Sequence, residues 1–321
     1  MSETTPYVTV IVPTRPGQAE IPAVTAARAL DYPRDRLEIL VARGKQPAVQ
    51  RNAALQAARG ELIYFLDDDA IAAPANLRRA LEHFANPQVK VLGGPNLCPA
   101  SAPLLEQIFA VVLASWLAFG PSRARYDRVG TARPSGEKEL ILCNMMARRA
   151  ALLELGGFDE ALYPNEENAL MDELQKRGAV LLYDPQFIVE RRPRPSLQAF
   201  IKMLFTYGRG RAEQFRRHPT PGSALNFVPP LFCLYLVAAP LAALALGPVV
   251  FAPLALYALV VLLQTLALMP GKGIPRSALA SPLLVASHVF YGIGFWRGLT
   301  TKLNAGTNAP KAPVTLEAMS V

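Results

Sequence analysis

Cysteine is scarce in this chain. Of its 321 residues only three are cysteines, Cys98, Cys143 and Cys233, odd in number and far apart. That excludes a disulfide framework and the paired spacing of a zinc site. Each is expected to serve as a small buried apolar side chain. A longer absence lies in the second half: from Pro219 to Gly271 there is no Asp, Glu, Lys, Arg or His. A run of that length can cross a hydrocarbon core of about 30 Å twice, at about 20 residues per crossing. Charge-free spans also offer no ionisable group for coupled transport, which argues against a transporter. No Gly-x-Gly-x-x-Gly follows the first predicted strand, which disfavours a dinucleotide fold. No secretory leader is legible, because Met1 to Pro6 is polar and the apolar run from Tyr7 to Pro13 is short and lacks a basic flank. The N-terminal part is therefore expected in the cytoplasm.

What is present divides into two halves. The chain is 51% hydrophobic and 18% charged, with a formal net charge of +8. Much of the positive charge precedes the apolar region, at Arg191, Arg192, Arg194, Lys202, Arg209, Arg211, Arg216 and Arg217, opposed by Glu190 and Glu213. Such a stretch beside membrane spans marks the cytoplasmic side and suits anionic headgroups, whereas a nucleic-acid patch would not adjoin a long apolar segment. No nucleic-acid partner is expected. Residues 1–217 are expected as a cytoplasmic domain and 218–321 as a membrane domain. Predicted spans cover 227–246 and 249–269, joined by Gly247-Pro248, with Pro229, Pro230, Pro240 and Pro253 inside them. A third segment, about 278–298, spans, re-enters or lies at the interface. It carries His288, expected to be packed or interfacial. Lys272 and Arg276 mark a return to the cytoplasm. Helices near 104–119 and 196–217 are expected at the membrane interface, with a domain-core reading of 104–119 left open beside it.

The first half reads as strand, helix, strand, helix, strand, which is the grammar of a doubly wound α/β sheet. Val8 to Val12 is a β-branched run, Leu37 to Ala42 a second strand, and Glu61 to Leu66 a third. Helices are predicted over 21–30, 47–59 and 75–84, a strand over 89–92, another over 140–146, a helix opening at Asn165, and a strand over 180–183. The third strand runs straight into Asp67-Asp68-Asp69. Three consecutive carboxylates cannot be buried unpaired, so they belong at the strand's carboxyl end, where open sheets bind ligands. Carboxylates one residue apart, Asp67 and Asp69, suit a hard divalent cation that also holds diphosphate oxygens. An acidic turn cap is the plain alternative. Glu166 and Glu167 sit in a first helical turn, where the dipole favours negative charge, so simple capping is the plain reading of both.

These pieces resemble the family 2 glycosyltransferases, of the nucleotide-diphospho-sugar transferase (GT-A) type. The matching residues are Val10-Ile11-Val12-Pro13-Thr14, Gln50-Arg51-Asn52-Ala53-Ala54 with Ala58 to Glu61, Phe65 to Asp69, Gly156-Gly157-Phe158-Asp159-Glu160 and Asn165 to Asn168, in order within residues 6–217. Tyr207-Gly208-Arg209-Gly210-Arg211, the later His218-Pro219 and the apolar tail are similar to the branch that builds bacterial exopolysaccharides, of the succinoglycan type.

The resemblance implies a GT-A domain with a doubly wound mixed sheet, followed by C-terminal transmembrane helices in a bacterial inner membrane. Pro13 and Thr14 would line a nucleotide pocket, and Arg51 and Asn52 would approach the base, ribose or diphosphate. Asp67 and Asp68 would meet the nucleotide, and Asp67 and Asp69 would hold Mg²⁺ or Mn²⁺. Glu167 aligns with the catalytic base, with Glu166 just before it. The implied donor is a nucleotide-diphospho-sugar, a UDP-sugar first, and the acceptor a sugar on a polyprenyl diphosphate. Ala42-Arg43-Gly44 departs from the family, which often carries Asp there to read the base. The Gln-x-x-Arg-Trp element of processive synthases is absent, so one sugar is expected per acceptor. His218 is expected at a helix end, with metal binding as the other reading. A polyprenyl-phosphate sugar synthase and an inactive membrane scaffold are the alternatives in function.

Overall fold

A computed structural model of the chain describes residues 5–162, 165–217, 219, 221–303 and 313–321. In order it forms β1 (Val8–Thr14), α1 (Pro22–Arg28), β2 (Leu37–Arg43), α2 (Pro47–Ala57), β3 (Leu62–Leu66), β4 (Ile71–Ala72), α3 (Asn76–Phe84), β5 (Val89–Gly93) and β6 (Asn96–Leu97). Then come α4 (Leu104–Leu113), α5 (Trp116–Phe119), β7 (Arg133–Ser135), β8 (Asn144–Arg148), α6 (Arg149–Glu154), α7 (Glu166–Lys176), β9 (Val180–Tyr183) and β10 (Val189–Glu190). The last are α8 (Leu197–Arg217), α9 (Val228–Leu246), α10 (Ala252–Lys272), α11 (Ile274–Thr300) and β11 (Thr315–Met319).

The chain divides into two compact units. One comprises Met1–Pro99, Ala124–Arg192 and Asn304–Val321, the other Ala100–Arg123 and Pro193–Leu303. This division differs from a single cut at residue 217, for two physical reasons. Residues past the last long helix return as β11, which pairs antiparallel with β2 and covers its open edge. The 104–119 run packs within the second unit, where Phe109 stacks on Phe200 of the basic helix α8 at 4.2 Å.

In the first unit the eight-stranded sheet runs β11-β2-β1-β3-β8-β5-β9-β7, beside a three-stranded sheet β4-β10-β6. β1 pairs in parallel with β2 and β3, so Ile11 lies between Leu40 and Phe65. Every β1 residue is buried. Alternation sends Val8, Val10 and Val12 to one face, against α1 and α3, and Ile11 to the other, against α2, α6 and α7. Helices on both faces of a mixed sheet are the doubly wound arrangement expected. The 140–146 run is only partly strand. β8 starts at Asn144, and Leu140, Leu142 and Cys143 are buried in the preceding turn. Their apolarity reports burial rather than extension.

Among the described residues, the second unit holds three helices long and apolar enough to cross a membrane: Ala224–Leu246, Pro248–Lys272 and Ile274–Thr300. The bent pair Leu104–Leu113 and Trp116–Arg125, at 60°, would make a fourth if it is one span. The bend falls at Ser115, whose Oγ donates to the Val112 carbonyl at 2.9 Å and accepts from the Ala118 N–H at 3.2 Å. Pro229 and Pro253 sit in first turns, where a missing N–H has no cost, so of the four expected interior prolines Pro240 is the one inside its helix.

α8 and α11 approach backbone to backbone. A Cβ at Gly208 would lie 2.0 Å from the Tyr291 carbonyl oxygen, one at Gly294 2.0 Å from that of Phe205, and one at Gly298 2.3 Å from that of Arg209. Small residues permit this contact between apolar helices. Gly208→Val is therefore expected to separate the pair at a cost of about 3 kcal/mol or more. Thermal unfolding in detergent would check this, and an unchanged midpoint would show that the two helices need no such approach.

Candidate active site

The site begins where two parallel strands end. Thr14 closes β1, and its hydroxyl donates to Asp68 Oδ2 at 3.3 Å. Pro13, one residue earlier, is buried in the strand opposite Ala42. Gln50 of α2 ties the ends of β1 and β2, donating from Nε2 to the carbonyls of Thr14 (2.8 Å) and Ala42 (2.6 Å). Gly44 leaves room for that side chain, since a Cβ there would stand 2.8 Å from Gln50 Cγ. At the β2 end, Arg43 pairs with Glu317 of β11 at 2.7 Å, a partner from the far end of the sequence. Burial first, and then the charges of Asp69 and Asp67, raise the Asp68 carboxyl above the usual range.

Arg51 joins the acidic strand end to the start of α7. It projects from α2 with a side chain only 7% exposed, and its Nη2 meets Asp67 Oδ1 at 3.0 Å while Nη1 meets Glu166 Oε1 at 3.1 Å. Glu166 is 3% exposed, and its Oε2 has no hydrogen-bond partner among the described residues. Burial, then the Glu167 charge, push its carboxyl up to about 7, against the pull of Arg51. Glu167, the next residue, is half-buried. Asn165 holds the N-cap position without capping, because its Oδ1 accepts from Asn168 Nδ2 at 2.8 Å.

A raised carboxyl has a definite consequence for stability. The fold takes up a proton at Glu166 between the ordinary value of 4.5 and about 7. Its contribution is therefore most favourable below the lower value and is lost as pH rises toward the upper one. The stability of Glu166→Gln relative to wild type should rise with pH across that window and level off above it. Parallel denaturation curves at several pH values would test this, and a difference constant with pH would exclude it.

A third cation arrives by pairing of short strands. β10 runs antiparallel to β4, with Glu190 opposite Ile71, which brings the next residue, Arg191, beside the acidic run that precedes β4. Its backbone N–H is fixed on the Leu97 carbonyl at 2.9 Å. Arg191 Nη1 meets Asp67 Oδ2 at 3.0 Å and Nε meets Asp69 Oδ1 at 2.6 Å. In the sequence Arg191 reads as one more member of the basic flank; the cue was Phe187 to Val189, a short β-prone run just before it.

The expected residues thus divide. Asp67, Asp69, Arg51 and Glu166 form one connected ion-pair chain with Arg191, and Thr14 joins through Asp68. Asn52 serves another segment. Its Nδ2 donates to the Phe158 carbonyl (2.9 Å) and to Glu160 Oε1 (3.0 Å), and its Oδ1 accepts from the Phe158 N–H (2.8 Å). Gly157 lies in that turn at φ +85, and a Cβ there would be 2.4 Å from Asn52 Oδ1. Cys143 is buried, with its thiol pushed up to about 12 by burial, whereas Cys98 and Cys233 are partly exposed. His288, in the second unit, donates from Nε2 to the Leu117 carbonyl at 2.8 Å and accepts from the Tyr257 hydroxyl at Nδ1 at 2.7 Å, a packed role. His218 lies outside the described residues.

Among the described residues no three His, Cys, Asp or Glu side chains are gathered for a metal. Asp67 and Asp69 still fit one, because Mg²⁺ and similar hard ions bind through one or two carboxylates and complete their shell with phosphate oxygens and water. Asp69 is 49% exposed and open to such a partner.

Residues 2–208 match the family model described as glycosyltransferase-like family 2. The chain belongs to that family. Among curated relatives, the pre-mycofactocin glycosyltransferase of Mycobacterium tuberculosis is 27% identical over 186 residues, covering 54% of this chain and 36% of the relative. The succinoglycan biosynthesis protein ExoA of Rhizobium meliloti is 29% identical over 189 residues, covering 58% of this chain and 54% of the relative. The chain therefore spans only about a third to a half of these relatives' length. In fold it is similar to the mannosyltransferase PcManGT of Pyrobaculum calidifontis, solved with GDP-Man and Mn²⁺, at a TM-score of 0.53 and 21% identity over 89% of this chain and 87% of that one. Its mixed sheet with helices on both faces is the GT-A fold.

Proposed function

We propose that this family 2 protein is a membrane-bound, inverting glycosyltransferase that moves one sugar from a nucleotide-diphospho-sugar, a UDP-sugar first, to a lipid-linked acceptor in surface-glycan synthesis. The observation that carries the reading is the ion-pair chain Asp67–Arg51–Glu166, which ties the acidic strand end to the first turn of α7. One side of such a site handles a leaving diphosphate and the other an incoming hydroxyl. Asp67 and Asp69 would hold Mg²⁺ or Mn²⁺, which when bound would neutralise charge developing on the diphosphate. Pro13, Thr14 and Asp68 line the nucleotide side, and Asn52 acts indirectly, by holding the 157–160 turn.

Glu167, the more open of the two glutamates, takes the acceptor's proton as its oxygen attacks the anomeric carbon. Glu166, held by Arg51, fixes the position of that turn. Single in-line attack inverts the anomeric centre. The three long apolar helices anchor the enzyme in the bacterial inner membrane with the transferase side in the cytoplasm, within reach of a sugar on a polyprenyl diphosphate. The succinoglycan protein among the relatives supports a place in exopolysaccharide assembly.

The test is release of nucleotide by the full chain in nanodiscs, over a panel of UDP- and GDP-sugars, with and without Mn²⁺ or Mg²⁺ and with glycosylated polyprenyl diphosphate as acceptor. Metal-dependent release from one donor, lost in Asp69→Ala, is expected. No release or donor binding by the folded protein would overturn the reading in favour of a scaffold.

A further inference from the structure

Both oxygens of Asp67 and one of Asp69 are engaged by guanidinium groups. Arg51 takes Asp67 Oδ1, and Arg191 bridges Asp67 Oδ2 and Asp69 Oδ1. The two arginines are not equivalent. Arg51 is buried and also bound to the buried Glu166, so moving it would take the cation from a carboxylate that water does not reach. Arg191 is 22% exposed, leans on the more open Asp69, and has no third carboxylate among its ion pairs with the described residues. Its backbone is pinned beside β10 by the Leu97 carbonyl, and its side chain reaches the carboxylates through three methylenes, with rotatable bonds by which the head could be re-aimed.

We propose that Arg191 is a resident counter-cation of the Asp67–Asp69 pair, displaced when a divalent cation binds, so that the cation enters only together with a nucleoside diphosphate. The inference rests on the proposed metal-dependent transferase reading. With guanidinium groups already seated on Asp67 and Asp69, a lone divalent ion would have to displace one cation and would meet positive neighbours at close range. A diphosphate reverses the balance. It supplies oxygens to the cation and, at the same time, a new anionic partner for the displaced Arg191. Thermodynamic reciprocity then requires nucleotide and cation to strengthen each other's binding by the same factor. Arg191 is thus a positioning residue that sets the order of assembly. The closed pairing also keeps carboxylates at a strand end from standing uncompensated when no donor is present.

Mn²⁺ binding, read from the electron paramagnetic resonance signal of the free ion, tests this without turnover. The full chain in nanodiscs would be titrated with Mn²⁺ alone, with Mn²⁺ plus UDP, and with Mn²⁺ plus GDP. Wild type is expected to bind Mn²⁺ weakly alone and at least tenfold more tightly with one of the nucleotides. Arg191→Gln should bind Mn²⁺ alone at least tenfold more tightly than wild type, and the gain from nucleotide should shrink. Arg191→Lys keeps a cation but lacks the planar fork that sets separate nitrogens on the two carboxylates, so it should fall between them; it also carries the test if the glutamine variant fails to fold. If wild type binds Mn²⁺ with nucleotide but both variants match its affinity for Mn²⁺ alone, this inference fails and the transferase reading stands. If wild type binds Mn²⁺ under none of the three conditions, metal dependence and the inference fall together.

Discussion

Glu167→Gln is expected to cut turnover by a hundredfold or more while donor binding persists. The amide keeps the shape and the hydrogen-bonding reach of glutamate but cannot accept the acceptor's proton, and positioned proton transfer is worth on the order of a hundredfold to ten-thousandfold. The competing role is electrostatic. A glutamate in the first turn of α7 interacts favourably with the helix dipole, and losing that alone would cost about 1 kcal/mol or less of stability with turnover largely intact. The two roles separate cleanly when kcat, nucleotide affinity and unfolding are measured on the same variant. A large fall in kcat with unchanged nucleotide affinity and midpoint supports the base. A small stability loss with near-normal kcat would move the proton-accepting role to Glu166, whose carboxyl is pushed up to about 7 and whose Oε2 has no hydrogen-bond partner among the described residues. Glu166→Gln on the same protein then becomes the deciding variant.

Much of this site was legible because its parts lie at the ends of regular elements. An apolar strand running into Asp67 to Asp69 forces the carboxylates to the sheet's edge, and α2 with its Arg51 follows from Pro47 at a first helical turn. The paired glutamates could be placed at a helix start from their position just after Asn165, an N-cap candidate, at the head of a helical run. What was not legible depends on pairings between distant short segments. β4 and β10 are two residues each, too short for periodicity, yet their register is what brings Arg191 to Asp67 and Asp69. β11 carries no strand signal of its own strength, and its place on β2 is a property of the edge it covers. Asn52 shows the opposite limit. Its neighbour in sequence, Arg51, points to the acids, but one residue along a helix turns the side chain by about 100°, toward the 157–160 turn instead. Gly208 belongs to a stretch read by resemblance, and its physical reason is the close approach of α11.

Arg51→Met is expected to be among the most destabilising single changes in the first unit. It removes one cation from two carboxylates at once, and one of them, Glu166, is almost wholly buried. Breaking a buried pair by deleting one partner typically costs about 3–5 kcal/mol, because the remaining charge has neither water nor a counter-ion. Asp67 moderates the loss, since it is partly exposed and retains Arg191. For a domain of this size the cost corresponds to a fall in midpoint of roughly 6–20 °C. Glu166 can escape by taking up a proton, so the penalty should be smaller at pH 6 than at pH 8. Adding Glu166→Gln removes the stranded charge, and the double variant should recover part of the lost stability, a non-additivity that marks direct coupling. Amide hydrogen exchange gives the local readout: protection in α2 and in the first turn of α7 should fall together in Arg51→Met. Equal protection in wild type and variant would mean that packing alone holds these two helices, and that the ion-pair chain serves the ligand rather than the fold.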